Sequence, residues 1–277
     1  YCWGRRLYGV LGDGGSTTGN QTLPIAVSMP SGVNQITNLH LGTDHTCGIG
    51  DDGNGYCWGR RQYGAIGNGG ATSGQETSPV AVTMPSGVTF THMGGGDYHT
   101  CAIGSDEQTY CWGRNQSAQL GDTTSTDRTI PTLVNTGEGY TPAETSACEE
   151  EGGNDCTQTP ISLGYAHGCG MGADGNAYCW GENNYGNIGD GTQWTSNASP
   201  KAITTPSGVS TLKQVVAGPN HSCAIWDEGA TYCWGDNSAG QLGDNTSTER
   251  LVPTEVTLPS GVTGFKMLTM GERYTCG

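Results

Sequence analysis

The side chains of this sequence with chemistry to offer are twelve cysteines, six histidines and twenty-six carboxylates. The cysteines are paired by spacing. Cys47 and Cys57, Cys101 and Cys111, Cys169 and Cys179, and Cys223 and Cys233 each enclose nine residues, and Cys148 and Cys156 enclose seven. Cys2 and Cys276 are left over, one near each end. An even, regularly spaced set reads as disulfides, which persist in oxidising compartments. Zinc is the competing chemistry, but it requires clustered Cys-x-x-Cys or Cys/His ligands, and the sequence has none.

His45, His99, His167 and His221 occupy one position in four successive repeats, so they fall on separate units and do not converge on an ion. They are expected to be structural residues bonding turn backbone. His40 and His92 lie outside the pattern and have no visible partner. Asp13, Asp122, Asp190 and Asp244 follow a Leu/Ile-Gly pair, with Asn68 in the second repeat. Asp and Asn at such places bond their own turn backbone. Calcium takes carboxylate and carbonyl oxygens from Gly-rich loops, which makes Asp51, Asp52 and Asp174 its candidate ligands. The same Asp-Gly and Asn-Gly pairs build ordinary hairpin turns, and no Asp-x-Asp-x-Asp-Gly loop accompanies them. Calcium is therefore the lesser reading, and no cofactor is expected. No nucleophile elbow, zinc-protease helix motif or phosphate loop is present. The expectation is a protein that is not an enzyme.

The elements that carry these residues repeat. Tyr-Cys-Trp-Gly begins at Tyr1, Tyr56, Tyr110, Tyr178 and Tyr232, in steps of 55, 54, 68 and 54 residues. Before each inner copy stands a Gly-x-x-His-x-Cys string, as at Gly96–Cys101. Gly271–Cys276 carries the same string with Tyr274 in place of His. After each copy stands a Gly-x-Leu-Gly-Asp-like string, as at Gly240–Asp244, and then a Pro-x-x-Val-like strand, as at Pro253–Val256. Each unit thus offers about four short strands separated by Gly, Pro, Asn and Asp turns. Within the Cys hairpin the two cysteines face one another across antiparallel strands, at an expected Cα spacing of ~5.5 Å. Tyr and Trp then point to the opposite face. Short sheets covered on both faces and repeated in series make a β-propeller.

Composition narrows the function classes. The 277 residues include 48 Gly, and only 13% are charged, which excludes a coiled coil and disfavours a helical bundle. Seven Trp and twelve Tyr spread along the chain argue against disorder. A net charge of −15 lacks the basic face that nucleic acid requires. No apolar run reaches the ~18 residues needed to span a bilayer. The chain begins at Tyr1 without an initiator Met, so it reads as a processed chain or part of a longer one.

The string Trp234-Gly-Asp-Asn-Ser-Ala-Gly-Gln-Leu-Gly243, with His221-Ser-Cys-Ala-Ile225 and a Pro-x-x-Val strand, resembles the repeat of the regulator of chromosome condensation superfamily. The resemblance covers the whole chain. It implies an all-β propeller with one repeat per blade, here about five blades of four strands in a single domain over 1–277. The disulfide-bearing variant resembles secreted and surface-attached bacterial members. In propellers the last blade is often shared between the two ends, and here each end holds half of one Cys hairpin. Three readings of Cys2 and Cys276 stand open: a bond that locks the ring, partners lost with deleted repeats, or a bond to a neighbouring molecule that makes a polymer.

Two features depart from the repeat. The 68-residue step holds an insert within 135–160 that contains Cys148, Cys156 and the run Glu149, Glu150, Glu151. Arg5, Arg6, Arg60 and Arg61 sit in equivalent turns of the first two repeats. These unlike charges are the candidate partner-binding residues. Asn-x-Ser/Thr sequons occur at Asn20, Asn115, Asn197, Asn220 and Asn245. The reading is a non-enzymatic extracellular or cell-surface binding or structural module, a subunit of an assembly or filament. Its alternative is a soluble propeller that binds or inhibits one protein. Partners are proteins or further copies of the chain, not nucleic acid, and no membrane insertion is expected.

Overall fold

The computed structural model describes residues 1–15, 18–137, 139–143 and 160–277. They form β-strands, short 3-10 turns and loops, and divide into two compact units, 1–116 with 125–134 and 117–124 with 135–277.

Unit 1 opens with a two-stranded sheet of β1 (Cys2–Arg5) and β2 (Asn20–Ile25). Two four-stranded antiparallel sheets follow. The first runs β3 (Ile36–Leu41), β4 (His45–Gly50), β5 (Gly55–Arg60), β6 (Gln75–Ala81). The second runs β7 (Phe90–Gly95), β8 (His99–Gly104), β9 (Thr109–Gly113), β10 (Arg128–Leu133). Unit 2 repeats the pattern with β11 (Ile161–Leu163), β12 (His167–Met171), β13 (Ala177–Gly181), β14 (Asn197–Ala202), then with β15 (Gln214–Ala217), β16 (His221–Ile225), β17 (Thr231–Gly235), β18 (Arg250–Glu255). It ends on a two-stranded sheet of β19 (Thr269–Met270) and β20 (Thr275–Cys276). Every sheet is a meander; in the four-stranded sheets the first three strands follow one another through short turns, and a longer loop that carries the Gly-x-Leu/Ile-Gly-like string joins the third strand to the fourth.

The Cys hairpin is the middle of each complete blade. Cys47 pairs with Cys57, Cys101 with Cys111, Cys169 with Cys179 and Cys223 with Cys233, all directly opposite in register and bonded. Their Cα atoms are 4.0–4.1 Å apart, not the wider spacing expected from the sequence. The cysteines take the closer, non-hydrogen-bonded position of the ladder, where side chains lie nearer one another. Cys2 and Cys276 carry no disulfide, and each lies in a two-stranded sheet of its own unit. Cys148, Cys156, Glu149, Glu150 and Glu151 lie outside the described residues.

Part of the segment from 135 to 160 belongs to the core. Tyr140 is buried against Tyr178 and Trp180, with ring centroids 5.3 and 5.6 Å away. Ala143 N–H donates to Met171 O at 2.8 Å.

Candidate functional site

Each residue of Tyr-Cys-Trp-Gly has a separate structural task. Tyrosine closes the hairpin: Tyr56, Tyr110 and Tyr178 donate their hydroxyls to Asp52, Asp106 and Asp174 at 2.7–2.8 Å. Burial, together with its bond to Asp106, pushes Tyr110 up to about 12. Cysteine staples the strands. Tryptophan joins one repeat to another. Trp58 Nε1–H donates to Val10 O (2.8 Å) and Trp112 to Ala65 O (3.0 Å). In unit 2, Trp180 donates to Gln119 O (3.0 Å) and Trp234 to Asn187 O (2.9 Å). Every acceptor is the residue before the Leu/Ile of the preceding repeat's Gly-x-Leu-Gly loop. Gly67 in that loop has φ +73°, and a Cβ there would sit 2.6 Å from Trp112 Nε1. Gly113 ends the motif at φ +102°, where a Cβ would come within 2.4 Å of Tyr98 O. Only glycine fits either place.

The indoles are core, as the spacing implied, with one exception. Trp58, Trp112, Trp180 and Trp234 are fully buried, and Trp112 packs with Cys47, Cys57, Ile66 and Phe90. Trp3, in the identical string, is 63% exposed. Removing a buried Trp costs ~3–5 kcal/mol, so Trp112→Ala lowers the melting temperature sharply while Trp3→Ala barely moves it. Equal shifts in calorimetry of the two variants would contradict this division.

Three of the repeated histidines bond the next repeat, not their own turn. His45 Nε2 lies 2.9 Å from Thr100 Oγ1, His167 Nε2 2.9 Å from Ser222 Oγ, and His221 Nε2 3.0 Å from Thr275 Oγ1. Burial lowers His45 and His221 to about 4 and His167 to about 3; His221 pushes His167 further down, while Asp236 pulls His221 back up. They are neutral cross-links at physiological pH. His40, which had no partner in the sequence, bonds Asn38 Oδ1 at 3.0 Å.

The calcium candidates hold turns. Asp52 accepts from Asn54 N–H (3.0 Å), Asn54 Nδ2 (2.7 Å) and Tyr56, and Asp174 repeats the set with Asn176 and Tyr178. Burial opposes ionisation of both carboxyls, but these donors outweigh it and hold them below the usual carboxylate range. Asp51 accepts from Asn34 N–H and Nδ2 across to the next turn. Among the described residues no three His, Cys, Asp or Glu side chains converge as a metal site.

The Arg pairs divide into two roles. Asn115, Asn183 and Asn237 are buried and bond their own loops; Asn237 Oδ1 accepts from Leu242 N–H at 3.1 Å and its Nδ2 donates to Thr248 O at 3.0 Å. Asn115 is thus a buried loop pin, although it stands in a sequon. Arg6 and Arg61 occupy this position in the first two repeats and pair with Asp13 and Glu76. Arg60 bonds Asp44 at 3.1 Å and lies 4.5 Å over the Tyr8 ring, and Arg114 lies 5.5 Å over Tyr63. Tyr8 and Tyr63 hold φ +60° and +59°, a strained conformation that sets each ring beneath its cation. Arg5 alone of the four candidates is exposed.

Sequence reasoning missed Trp194. It is 70% exposed with φ +65°. Its loop is braced: Trp194 N–H donates to Asn183 O at 2.9 Å, and Gln193 Nε2 donates to Glu249 at 2.8 Å and Asn184 O at 3.2 Å. The available signal was that only Trp194 and Trp226 stand outside the repeat motif, and of these Trp226 is buried.

No helix among the described residues is long and apolar enough to cross a membrane. The model of the regulator of chromosome condensation (RCC1) repeat matches residues 52–103, 106–148, 174–225 and 228–277. The chain is 29% identical over 274 residues to the ultraviolet-B receptor UVR8 of Arabidopsis thaliana, covering 99% of this chain and 57% of UVR8. It is 29% identical to the probable E3 ubiquitin-protein ligase HERC6 of Homo sapiens over 79% of this chain and 19% of HERC6. Human WBSCR16 shares the fold at TM-score 0.75 and 20% identity, over 91% of this chain and 61% of that one. Prp20p of Saccharomyces cerevisiae, studied for its binding to Gsp1p and histones, does so at TM-score 0.69 and 20% identity, over 87% and 55%. The chain therefore spans little more than half of UVR8 and of these two structures, and less of HERC6. The fold is an all-β propeller built one repeat to a blade, and the chain belongs to the RCC1 repeat family.

Proposed function

We propose that the chain is a non-enzymatic, protein-binding propeller module working outside the reducing cytosol, at a cell surface or in the extracellular space. One observation carries the binding reading: Trp194 is a large aromatic side chain held out to solvent on a braced loop. Tryptophan is enriched among the residues that dominate protein interfaces, and a rigid loop loses little entropy on binding. The histidines and hairpin carboxylates that could have served catalysis are engaged in holding strands and turns together. The setting is supported by four formed disulfides, which persist in oxidising compartments. Relatives such as Prp20p, with Gsp1p and histones, support a protein partner. The acidic run Glu149–Glu151 and the exposed Arg5 supply unlike charges that favour assembly into larger structures.

The test is chemical cross-linking of the native extracellular material, with mass spectrometry of the linked peptides. Links are expected from Lys201, which pairs with Asp190 at the start of the Trp194 loop, to a stoichiometric protein partner. Trp194→Ala should keep the melting temperature and weaken that complex at least ~10-fold. A variant that binds as tightly as the parent overturns the role given to Trp194.

A further inference from the structure

The residue after each inner Tyr-Cys-Trp-Gly string is fixed by one backbone bond, made to the residue before the repeated His. Arg60 N–H donates to Asp44 O at 2.7 Å, Arg114 to Tyr98 O at 2.9 Å, Glu182 to Ala166 O at 2.8 Å and Asp236 to Asn220 O at 2.9 Å. The position is therefore the same in all four repeats, but its charge is not. In unit 1 it carries a guanidinium, and each guanidinium finds a ring. The Arg60 Cζ lies 4.5 Å from the centre of the Tyr8 ring with the Asp44 carboxylate at 3.1 Å, and that of Arg114 lies 5.5 Å from the centre of Tyr63. At Arg60, ring and carboxylate hold one cation together, because the negative face of the ring and the anion both attract it.

In unit 2 acids take this position. Asp236 turns into its own loop, where it accepts from Ser238 N–H at 2.9 Å and Gln241 Nε2 at 2.8 Å. Glu182 joins the loop of Trp194 instead. Its Oε1 accepts from Asn184 Nδ2 at 2.7 Å. Asn184 O accepts from Gln193 Nε2 at 3.2 Å, and the same nitrogen donates to Glu249 Oε2 at 2.8 Å. Glu182, Asn184, Gln193 and Glu249 thus form one hydrogen-bonded row with a carboxylate at either end, and Trp194 follows Gln193 directly. Tyr185 holds the sequence place of Tyr8 and Tyr63 but not their positive φ. The ring that this repeat offers to solvent is that of Trp194. Among the described residues no Arg or Lys lies over it. The cations close to it in sequence and along the strand are engaged, Lys201 with Asp190 and Arg250 with Asp244.

We propose that Trp194, Glu182 and Glu249 form a binding site for an arginine side chain of a partner protein. The partner's guanidinium stacks on the indole, the best of the aromatic rings for a cation, and donates its N–H groups to the carboxylates beside it. Arginine fits better than lysine. Its planar fork stacks on a ring and serves two acceptors at once, whereas an ammonium is a compact and strongly hydrated charge. The net charge of −15 draws a basic segment towards the chain, and the indole selects where it settles. Because the loop is braced, the site is formed before the partner arrives and loses little freedom on binding. The inference rests on the binding role given to Trp194 and adds the chemistry of its partner.

The probe is the peptide acetyl-Gly-Arg-Gly-Arg-Gly-amide, titrated into the ¹⁵N-labelled chain and followed by magnetic resonance at the Gln193 side-chain amide and the Thr195 backbone amide. Citrulline has the shape of arginine without its charge, and the citrulline peptide should bind at least ~5-fold more weakly. Trp194→Leu should weaken the arginine peptide at least ~5-fold, while Trp194→Phe, which keeps a ring, retains most of the affinity. Neither substitution alters the charge, so general attraction to an acidic chain predicts no change in either. Glu182→Gln with Glu249→Gln should cost at least ~3-fold. Equal affinities for the arginine and citrulline peptides overturn the proposal, as does a Trp194→Leu variant that binds like the parent. A native complex weakened by Trp194→Ala, alongside peptides that bind alike, keeps the role of Trp194 and removes the arginine. A native complex unmoved by Trp194→Ala, alongside an arginine peptide that requires the ring, keeps the arginine site and removes Trp194 from that complex.

Discussion

Replacing the cysteine pairs of the four hairpins unfolds the chain at room temperature, and replacing one pair costs a quarter of that effect. Each bond closes a loop of sequence separation 10. For a loop of that size the chain-entropy model gives about 3 kcal/mol. Four together reach on the order of 10 kcal/mol, comparable with the whole stability of an ordinary domain, ~5–15 kcal/mol. The bonds are also packing elements, since Cys57, Cys101, Cys111, Cys169, Cys179 and Cys223 are completely buried, and Cys57, Cys169, Cys179 and Cys223 lie within apolar clusters. Urea unfolding of Cys101→Ala/Cys111→Ala should show a stability loss near 3 kcal/mol, and the variant lacking all four pairs should give the circular dichroism of an unfolded chain. A four-pair variant that unfolds at the parent's urea midpoint would refute the account. Reductant should act slowly on the native protein, because a thiolate must first reach buried sulfur.

Acid should be the second strong perturbant. His45, His167 and His221 are neutral in the fold, held at about 4, 3 and 4 by burial, whereas an unfolded His titrates near ~6.5. Between those values the unfolded chain binds protons that the native chain refuses, so stability rises with pH across that window. The contribution is complete above about 6.5 and is lost as pH falls towards 4. Each of the three is worth on the order of 3 kcal/mol over the full interval. Asp244 adds a smaller loss at lower pH. Its burial opposes ionisation, but bonds from Thr246, Arg250 and Asn237 hold its carboxyl at about 2. The melting temperature should be flat from pH 7 to 9 and fall steeply from 6.5 to 4.5. His167→Gln should flatten that fall. A parent protein whose melting temperature is unchanged at pH 4.5 would show that these imidazoles are not buried neutral.

These two expectations differ in how far the sequence alone could have supplied them. The disulfides were legible because a hairpin is local: nine residues between two cysteines admit a turn and two strands, and strand alternation places the sulfurs opposite one another. The order of blades was legible for the same reason, since every signature recurs in sequence. The spacing of the cysteine pair was misjudged, because which of the two ladder positions the pair occupies depends on the register of the hydrogen bonds and not on the count of residues.

The roles of His, Trp and Arg depended on contacts that the period reveals but does not aim. His45 meets Thr100 across 55 residues and Trp112 meets Ala65 across 47, in opposite directions along the chain. A repeat tells that each unit has neighbours, but not which face turns to which. Arg6 and Arg61 looked like a basic surface because charge is visible in a sequence and an ion pair is not. Only the folded loop brings Asp13 and Glu76 to them. The string Tyr-Cys-Trp-Gly is the same at Tyr1 and at Tyr110, yet Trp3 is in solvent and Trp112 is buried. The local sequence determined that both are strands with an indole on one face. Whether that indole is core was decided by tertiary structure, because an indole is buried only where the loop of another repeat lies against it.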